Sequence, residues 1–259
     1  MKFVRYQDGA GQARYGVLDG ETVHAADGDP FAGGLTAGSA VGALGELTLL
    51  PPVQPGKIVC VGLNYAAHVT ETDATRAVPE EPVLFMKPPS ALVGHGAPIA
   101  IANPDNRTDH EAELAVVIGR RARGVAAASA ADYILGYTAG NDVSDRPLQQ
   151  KDGQWVRAKG FDTYCPLGPC VATDLDPTAG DGLAVVSRLN GETKQSSTTR
   201  DMIFDVPALI AYISGIMTLE PGDVIMTGTP EGVGPMRPGD TIEVEVGGVG
   251  VLRNPVTAR

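Results

Sequence analysis

Along this chain, apolar and polar positions repeat with two different periods. The N-terminal runs KFVRY and YGVLDGETV read as short strands joined by a glycine-rich turn. A loose Gly/Ala/Asp stretch follows, HAADGDPFAGGLTAGSA. LLPPVQPGK, with three prolines, then marks an extended boundary. From Lys57 the runs become more apolar: KIVCVGL, PVLFMK and LAVVIG each read as a buried strand. In NYAAHVTET, Asn64 is placed to cap a short helix. ASAADYILGYTAGNDVS reads as a helix leading into a polar loop. In FDVPALIAYISGIM, Asp205 is the expected N-cap and Pro207 lies in the first turn. Leu209, Ile210, Ile213, Ile216 and Met217 then share one helical face. TIEVEV alternates strictly, with Ile242, Val244 and Val246 on one face and Glu243 and Glu245 on the other. Gly247-Gly248 turns the chain into a last hairpin strand.

Strands outnumber helices and do not alternate regularly with them, so a doubly wound nucleotide-binding fold is not expected. The glycines of GTPEGVG fit neither a phosphate-binding loop nor a dinucleotide fingerprint. With 259 residues, 33 of them glycine and 20 proline, the chain suits a turn-rich, β-rich body. One large domain with a small one before it fits that length. The expected division is a small β-containing unit over residues 1–50 and a larger unit over 51–259.

A net charge of -11 argues against a nucleic-acid or anionic membrane partner. An acidic protein that handles acidic substrates needs a local positive centre, which a metal ion can supply. Cys60, Cys165 and Cys170 have no paired metal-binding spacing and suit a reducing compartment. The N-terminus is too polar for a signal peptide and no run is long enough to span a membrane. A cytoplasmic location is expected, and the Asn106-Arg-Thr108 sequon is read as chance.

Four groups of residues carry candidate chemistry. In DHEAELAVVIG, Glu111 and Glu113 fall on one strand face, since strand side chains alternate. Two like charges side by side describe either a solvated face, as at Glu243 and Glu245, or ligands of a hard divalent cation. Asp142, in NDVS, is a candidate third ligand. His68 and Glu71 lie at i and i+3 of a helix, as an exposed pair or as a base held by a carboxylate. Lys159, in a turn, is either a surface lysine or a group that polarises a carbonyl. Thr229 follows a glycine in DVIMTGTPEGVG and could donate to a substrate carboxylate.

Taken together and in this order, these pieces resemble the fumarylacetoacetate hydrolase family. The matching stretches are KIVCVGLNYAAHVTE, PVLFMKPPSAL, DHEAELAVVIG, GYTAGNDVSDR, QWVRAKGFDTYCPLGP, DMIFDVP, TLEPGDVIMTGTPEGVG and GDTIEVEV, spanning residues 57 to 246. The resemblance implies an α+β, β-rich fold: a mixed β-roll catalytic domain with a small N-terminal domain, usually in a homodimer. It implies Glu111, Glu113 and Asp142 as ligands of Mg²⁺ or Mn²⁺. It also implies His68 with Glu71 as the water-activating pair and Lys159 as the lysine that steadies developing charge. Lys87, Arg146, Gln149 and Thr229 match substrate-binding positions.

The expected activity is hydrolysis of a C–C bond in acylpyruvate-type 2,4-dioxo acids by way of a pyruvate enolate. The family also contains decarboxylases and isomerases of oxaloacetate-like and unsaturated dicarboxylates, which is the alternative. A non-catalytic binding protein that kept the pocket is the remaining one. One stretch departs from the family. Its usual Ser-Ala-Arg-Asp-Leu-Gln reads here Ser144-Asp145-Arg146-Pro147-Leu148-Gln149, which puts an acid and a proline into the loop that presents Arg146 and Gln149.

Overall fold

The computed structural model describes residues 1–72, 75 and 77–259. Its main sheet runs in the order Gly34–Ala43, Thr22–Asp29, Ala13–Asp19, Lys2–Gln7, Cys165–Ala172, Ile134–Asn141, Ala112–Ile118, Val224–Met226, Ile58–Gly62, Val83–Lys87. Along this path only Val224–Met226 and Ile58–Gly62 pair in parallel. A second, five-stranded sheet runs Glu192–Thr198, Ala184–Leu189, Thr241–Val246, Gly250–Ala258, Ile99–Ile101. A three-stranded sheet joins Ser144–Asp145, Thr108–His110 and Gly234–Pro235, and the described residues include four α-helices: α1 (Ala66–Thr72), α2 (Arg146–Asp152), α3 (Val156–Lys159) and α4 (Val206–Ile216). The molecule is β-rich, as the strand-dominated pattern requires. No described helix is long and apolar enough to cross a membrane.

The strand Ala112–Ile118 is buried at every position, because it has a paired neighbour on each side and packed layers on both faces. Leu114, Val116 and Ile118 join Val244, Val246 and Leu252 of the second sheet and Leu209, Ile210 and Ile213 of α4 in one core. Ala115 and Val117 face a second core with Ile58, Cys60 and Leu167. Each large aliphatic side chain so buried contributes about 2 kcal/mol, which makes this strand a rigid support for whatever its first residues carry. Helix α4 starts as its sequence predicts, with Asp205 accepting a hydrogen bond from Ala208 N at 2.9 Å. Its apolar face is one residue shorter than the periodicity suggests. Ile216, the last residue of the helix, is 58% exposed, because the chain turns to an extended conformation at Met217.

Three further local readings are corrected. The loose stretch after Thr22 forms the hairpin Thr22–Asp29 and Gly34–Ala43. Much of this ribbon faces solvent, so it has no apolar alternation to read, and backbone pairing alone defines it. In ASAADYILGYTAGN the helix is a 3₁₀ stretch, Ala127–Tyr133, and a strand, Ile134–Asn141, takes the rest. Its β-branched and aromatic residues suit the place between Ala112–Ile118 and Cys165–Ala172. Asn64 does not cap α1. Its amide donates to Phe204 O at 3.0 Å and Thr227 O at 2.8 Å and accepts from Phe204 N at 2.8 Å, pinning α1's approach to the Thr227–Pro230 turn.

The N-terminal strands join the main sheet directly. Lys2 and Phe3 pair with Ala172 and Val171, so the main sheet runs across the Pro-rich boundary. At the far end, Thr241–Val246 alternates buried and half-buried as read. Its outward Glu243 and Glu245 meet Arg253 at 3.7 Å and Arg188 at 2.8 Å.

Candidate active site

Strand register assembles three carboxylates. Ala112 lies opposite Asn141 in the antiparallel pair. One residue further out, Asp142 N donates to Glu111 O at 2.9 Å, while Asn141 Oδ1 accepts from Glu111 N at 2.9 Å. Glu113, two residues along from Glu111, points to the same side. Glu111, Glu113 and Asp142 each offer an oxygen, and these lie within 4.8 Å of one another. All three are buried, at 4%, 1% and 1% exposure. This is the opposite outcome to Glu243 and Glu245, which share the same spacing but meet solvent and arginines.

Cations of the chain surround the trio unevenly. Lys159, at the end of α3, donates to Glu111 Oε2 at 2.8 Å, Asp142 Oδ2 at 2.6 Å and Ser144 Oγ at 2.7 Å. Burial by itself would lower its pKa, but Asp142 and Glu111 outweigh it and hold the ammonium protonated. Arg146 Nη2 donates to Glu111 Oε1 at 2.6 Å. Burial pushes the Glu111 carboxyl up, yet Lys159 and Arg146 outweigh that and keep it well below the usual carboxylate range. Glu113 has less such help, since Lys159 acts on it only weakly. It accepts only Gly228 N, at 2.8 Å, among the bonds described. Burial, with Asp142 and then Glu111 adding to it, pushes its carboxyl well up. Three clustered oxygen donors with one carboxylate short of positive charge fit a hard divalent cation such as Mg²⁺ or Mn²⁺.

Two of the trio, Glu111 and Asp142, border a cavity of about 560 Å³. Glu111, Asp142, Lys159, Arg146, Gln149, Thr229, His68 and Glu71 all line it. His68 Nδ1 lies 3.1 Å from Glu71 Oε2, and Gly232 N donates to Glu71 Oε1 at 3.0 Å. In the tautomer that donates Nδ1–H to this carboxylate, Nε2 is the basic nitrogen. Among the wall residues, Phe85 and Trp155 form an aromatic side, edge to face at 5.2 Å. Lys159 Nζ sits 4.8 Å from the Phe85 ring centre.

Two substrate-binding expectations meet a different geometry. Lys87 does not line the cavity. It lies behind Asp142, donating to Asp142 Oδ1 and, at 3.1 Å, to Val143 O, so its charge reaches the site through that carboxylate. Thr229 is on the wall, but its hydroxyl proton goes to Ala112 O at 2.8 Å. The Thr229 Oγ1 in turn accepts from Gln195 Nε2 at 2.7 Å.

Gln195, Asp109, Arg107 and Trp155 are site residues that the sequence reading missed. Gln195 Oε1 also accepts from Ala112 N at 3.0 Å, locking the residue between the two glutamates to the Thr229 turn. It reaches in from a hairpin 83 residues away, so no local pattern announces it. Asp109 continues the alternation of Glu111 and Glu113 and was readable from it. It receives Arg146 Nε at 2.8 Å and Arg107 Nε at 2.8 Å. His110, between them, faces away as alternation requires and pairs with Gln195 Oε1 at 3.2 Å.

Known proteins share this arrangement of sequence. Residues 57–257 match the family described as "Fumarylacetoacetate (FAA) hydrolase C-terminal", and residues 1–52 match "Rv2993c-like, N-terminal". A solved 5-carboxymethyl-2-hydroxymuconate delta-isomerase from Mycobacterium smegmatis is 44% identical, with a TM-score of 0.89 and 100% of both chains covered. A 2-hydroxyhepta-2,4-diene-1,7-dioate isomerase from Mycobacterium marinum is 42% identical, also at 0.89, covering 100% of this chain and 99% of that one. The mitochondrial oxaloacetate tautomerase of Xenopus laevis is 41% identical over 221 residues, 82% of this chain and 69% of the relative.

Proposed function

The chain belongs to the fumarylacetoacetate hydrolase family, and on that premise we propose that it is a divalent-metal-dependent enzyme acting on small anionic 2-oxo acids. Its reaction is a proton transfer next to the 2-oxo group, of the isomerase or tautomerase kind. The observation that carries this reading is the His68–Glu71 pair, at 3.1 Å, on the wall of the cavity that Glu111 and Asp142 also line. A base held in one tautomer beside a cluster of cation ligands suits removal of a proton alpha to a carbonyl. The names of the three relatives support the choice, since each describes movement of a proton and a double bond within a small acid.

Glu111, Glu113 and Asp142 would hold the cation, which supplies Lewis-acid polarisation of the substrate's 2-oxo and carboxylate oxygens. His68 Nε2 takes the proton from the carbon beside the carbonyl and returns it at the far end of the enol system. Glu71 fixes the ring. Lys159, with its pKa raised by Asp142 and Glu111, keeps a full positive charge beside the oxygen on which negative charge develops. Arg146 and Gln149 receive the substrate carboxylate. The cavity's positive groups concentrate an anionic ligand against the chain's overall charge of -11.

A second reading is hydrolysis of a C–C bond in an acylpyruvate. The cavity's volume of about 560 Å³ favours it, because a water can stand beside a small substrate within reach of the same base. The homodimer implied by the family remains part of the proposal and is tested by light scattering.

The test is turnover of a panel: enol oxaloacetate, unsaturated 2-hydroxy dicarboxylates and acylpyruvates, each with Mg²⁺ or Mn²⁺ and with chelator. Metal-dependent conversion of enol substrates without C–C cleavage is expected. Cleavage of acylpyruvates alone replaces the first reading with the second. No metal-dependent turnover of any of them sinks both.

A further inference from the structure

Helix α2 carries Arg146 and Gln149 to the cavity, and it starts from the acid that departs from the family's usual loop. Asp145 is fully buried. A buried carboxylate is costly unless its lone pairs are taken. Here neutral N–H groups take them: Asn103 Nδ2 at 2.8 Å from Oδ2, Asn106 Nδ2 at 2.9 Å from both oxygens, and Leu148 N at 3.2 Å from Oδ1. One side chain thus caps α2 and grips the loop before the strand Thr108–His110.

The same place joins two arginines. Thr108 pairs with Asp145, and Arg146 N donates to Arg107 O at 2.9 Å. Arg107 and Arg146 both donate to Asp109, and all three line the cavity. We propose that Asp145 is a positioning residue for this anion-binding wall: through Asn103, Asn106 and the start of α2 it sets where Arg107, Arg146 and Gln149 stand. An alanine at this position makes none of the four bonds. Pro147, with its fixed φ in the first turn of α2, stiffens the same junction. Long side chains held in place before a ligand arrives lose less freedom when it binds, so the wall favours binding of a carboxylate over the chemical step. This rests on the reading that Arg146 and Gln149 face the substrate.

Trp155 is the single tryptophan of the chain and lines the cavity, so its fluorescence reports a titration with oxalate in the presence of Mg²⁺. Asp145→Ala and Asp145→Asn are expected to weaken oxalate binding about tenfold and to raise KM for any substrate turned over by a similar factor. Their kcat falls by less than about threefold. Asn at 145 turns an amide against the amides of Asn103 and Asn106. The exchange Asp145→Asn with Asn106→Asp restores donor to acceptor and is expected to recover most of the affinity. Oxalate affinity and KM within about twofold of wild type in both single variants, whatever happens to their unfolding midpoints, overturn the proposal. Should those variants fail to fold, Asn103→Ala and Asn106→Ala remove parts of the same cluster. Each is expected to weaken oxalate about threefold, and unchanged affinity in both overturns the proposal. Oxalate affinity lost in the variants of a protein that turns over nothing on the panel upholds this inference and fails the functional reading. Turnover with oxalate affinity unchanged does the reverse.

Discussion

Lys159 Nζ stands 2.6 Å from Asp142 Oδ2, and both residues are almost wholly buried. With Glu111 and Ser144 the lysine has three acceptors for its three N–H bonds. Lys159→Met keeps the volume and removes the charge. In chelator it is expected to lower unfolding stability by about 3 kcal/mol, because Glu111 and Asp142 remain buried with less compensation. Turnover is expected to fall by about a hundredfold or more. Added Mg²⁺ should recover the stability and leave turnover low. Denaturant titrations with and without the metal check this, and an unchanged chelated midpoint counts against the pairing.

His68 and Glu71 act as one unit in the proposed reaction. His68→Ala is expected to reduce kcat by roughly a hundred- to ten-thousandfold. Glu71→Gln keeps an acceptor for Nδ1–H but loses the charge, so a smaller loss, about tenfold, is expected. Kinetics of both variants at saturating Mg²⁺ make the comparison. A His68→Ala loss below tenfold removes the base from the mechanism.

Gly228 has φ +98°, and a Cβ there would lie 2.7 Å from Asn64 Cβ and 3.0 Å from Val61 O. Both are held in place, Asn64 by three hydrogen bonds and Val61 by its strand. Gly228→Ala therefore shifts the turn whose N–H holds Glu113. A destabilisation of about 1–3 kcal/mol is expected, with divalent-metal affinity reduced by about tenfold. Calorimetric titration with Mn²⁺ decides it, and wild-type affinity would show that the turn does not hold Glu113.

All three thiols are buried. Burial pushes Cys165 up to about 12 and Cys170 up to about 11, and raises Cys60 well above the usual thiol value of 9.0. The native protein keeps these protons while the unfolded chain releases them, so stability falls as pH rises through 9 towards the folded values. Each thiol contributes about 1 kcal/mol to the loss between pH 8 and pH 10. A Cys60→Ala/Cys165→Ala/Cys170→Ala variant should show a shallower decline in denaturant midpoints over that range. An identical slope contradicts the assignment.

The sequence by itself determined the strand-rich character, the buried run behind Glu113, the capped start of α4 and the alternation of the last hairpin. Each is a local property, because period, capping and turn chemistry are written within ten or so neighbouring residues. Motif order carried the family and named the candidates, since spacing alone left Glu111 and Glu113 indistinguishable from Glu243 and Glu245. Tertiary structure separated the two pairs, burying Glu111 and Glu113 beside Asp142. The difference is register: Asn141 opposite Ala112 brings Asp142 onto Glu111, whereas Glu243 and Glu245 end beside Arg253 and Arg188. It also moved Lys87 behind Asp142, gave the Thr229 proton to a backbone carbonyl, and brought Gln195 across to hold Thr229 Oγ1 and Ala112 N. Hydrogen bonds between residues so far apart in the chain exist only once the sheets have closed on each other, so no local pattern records them.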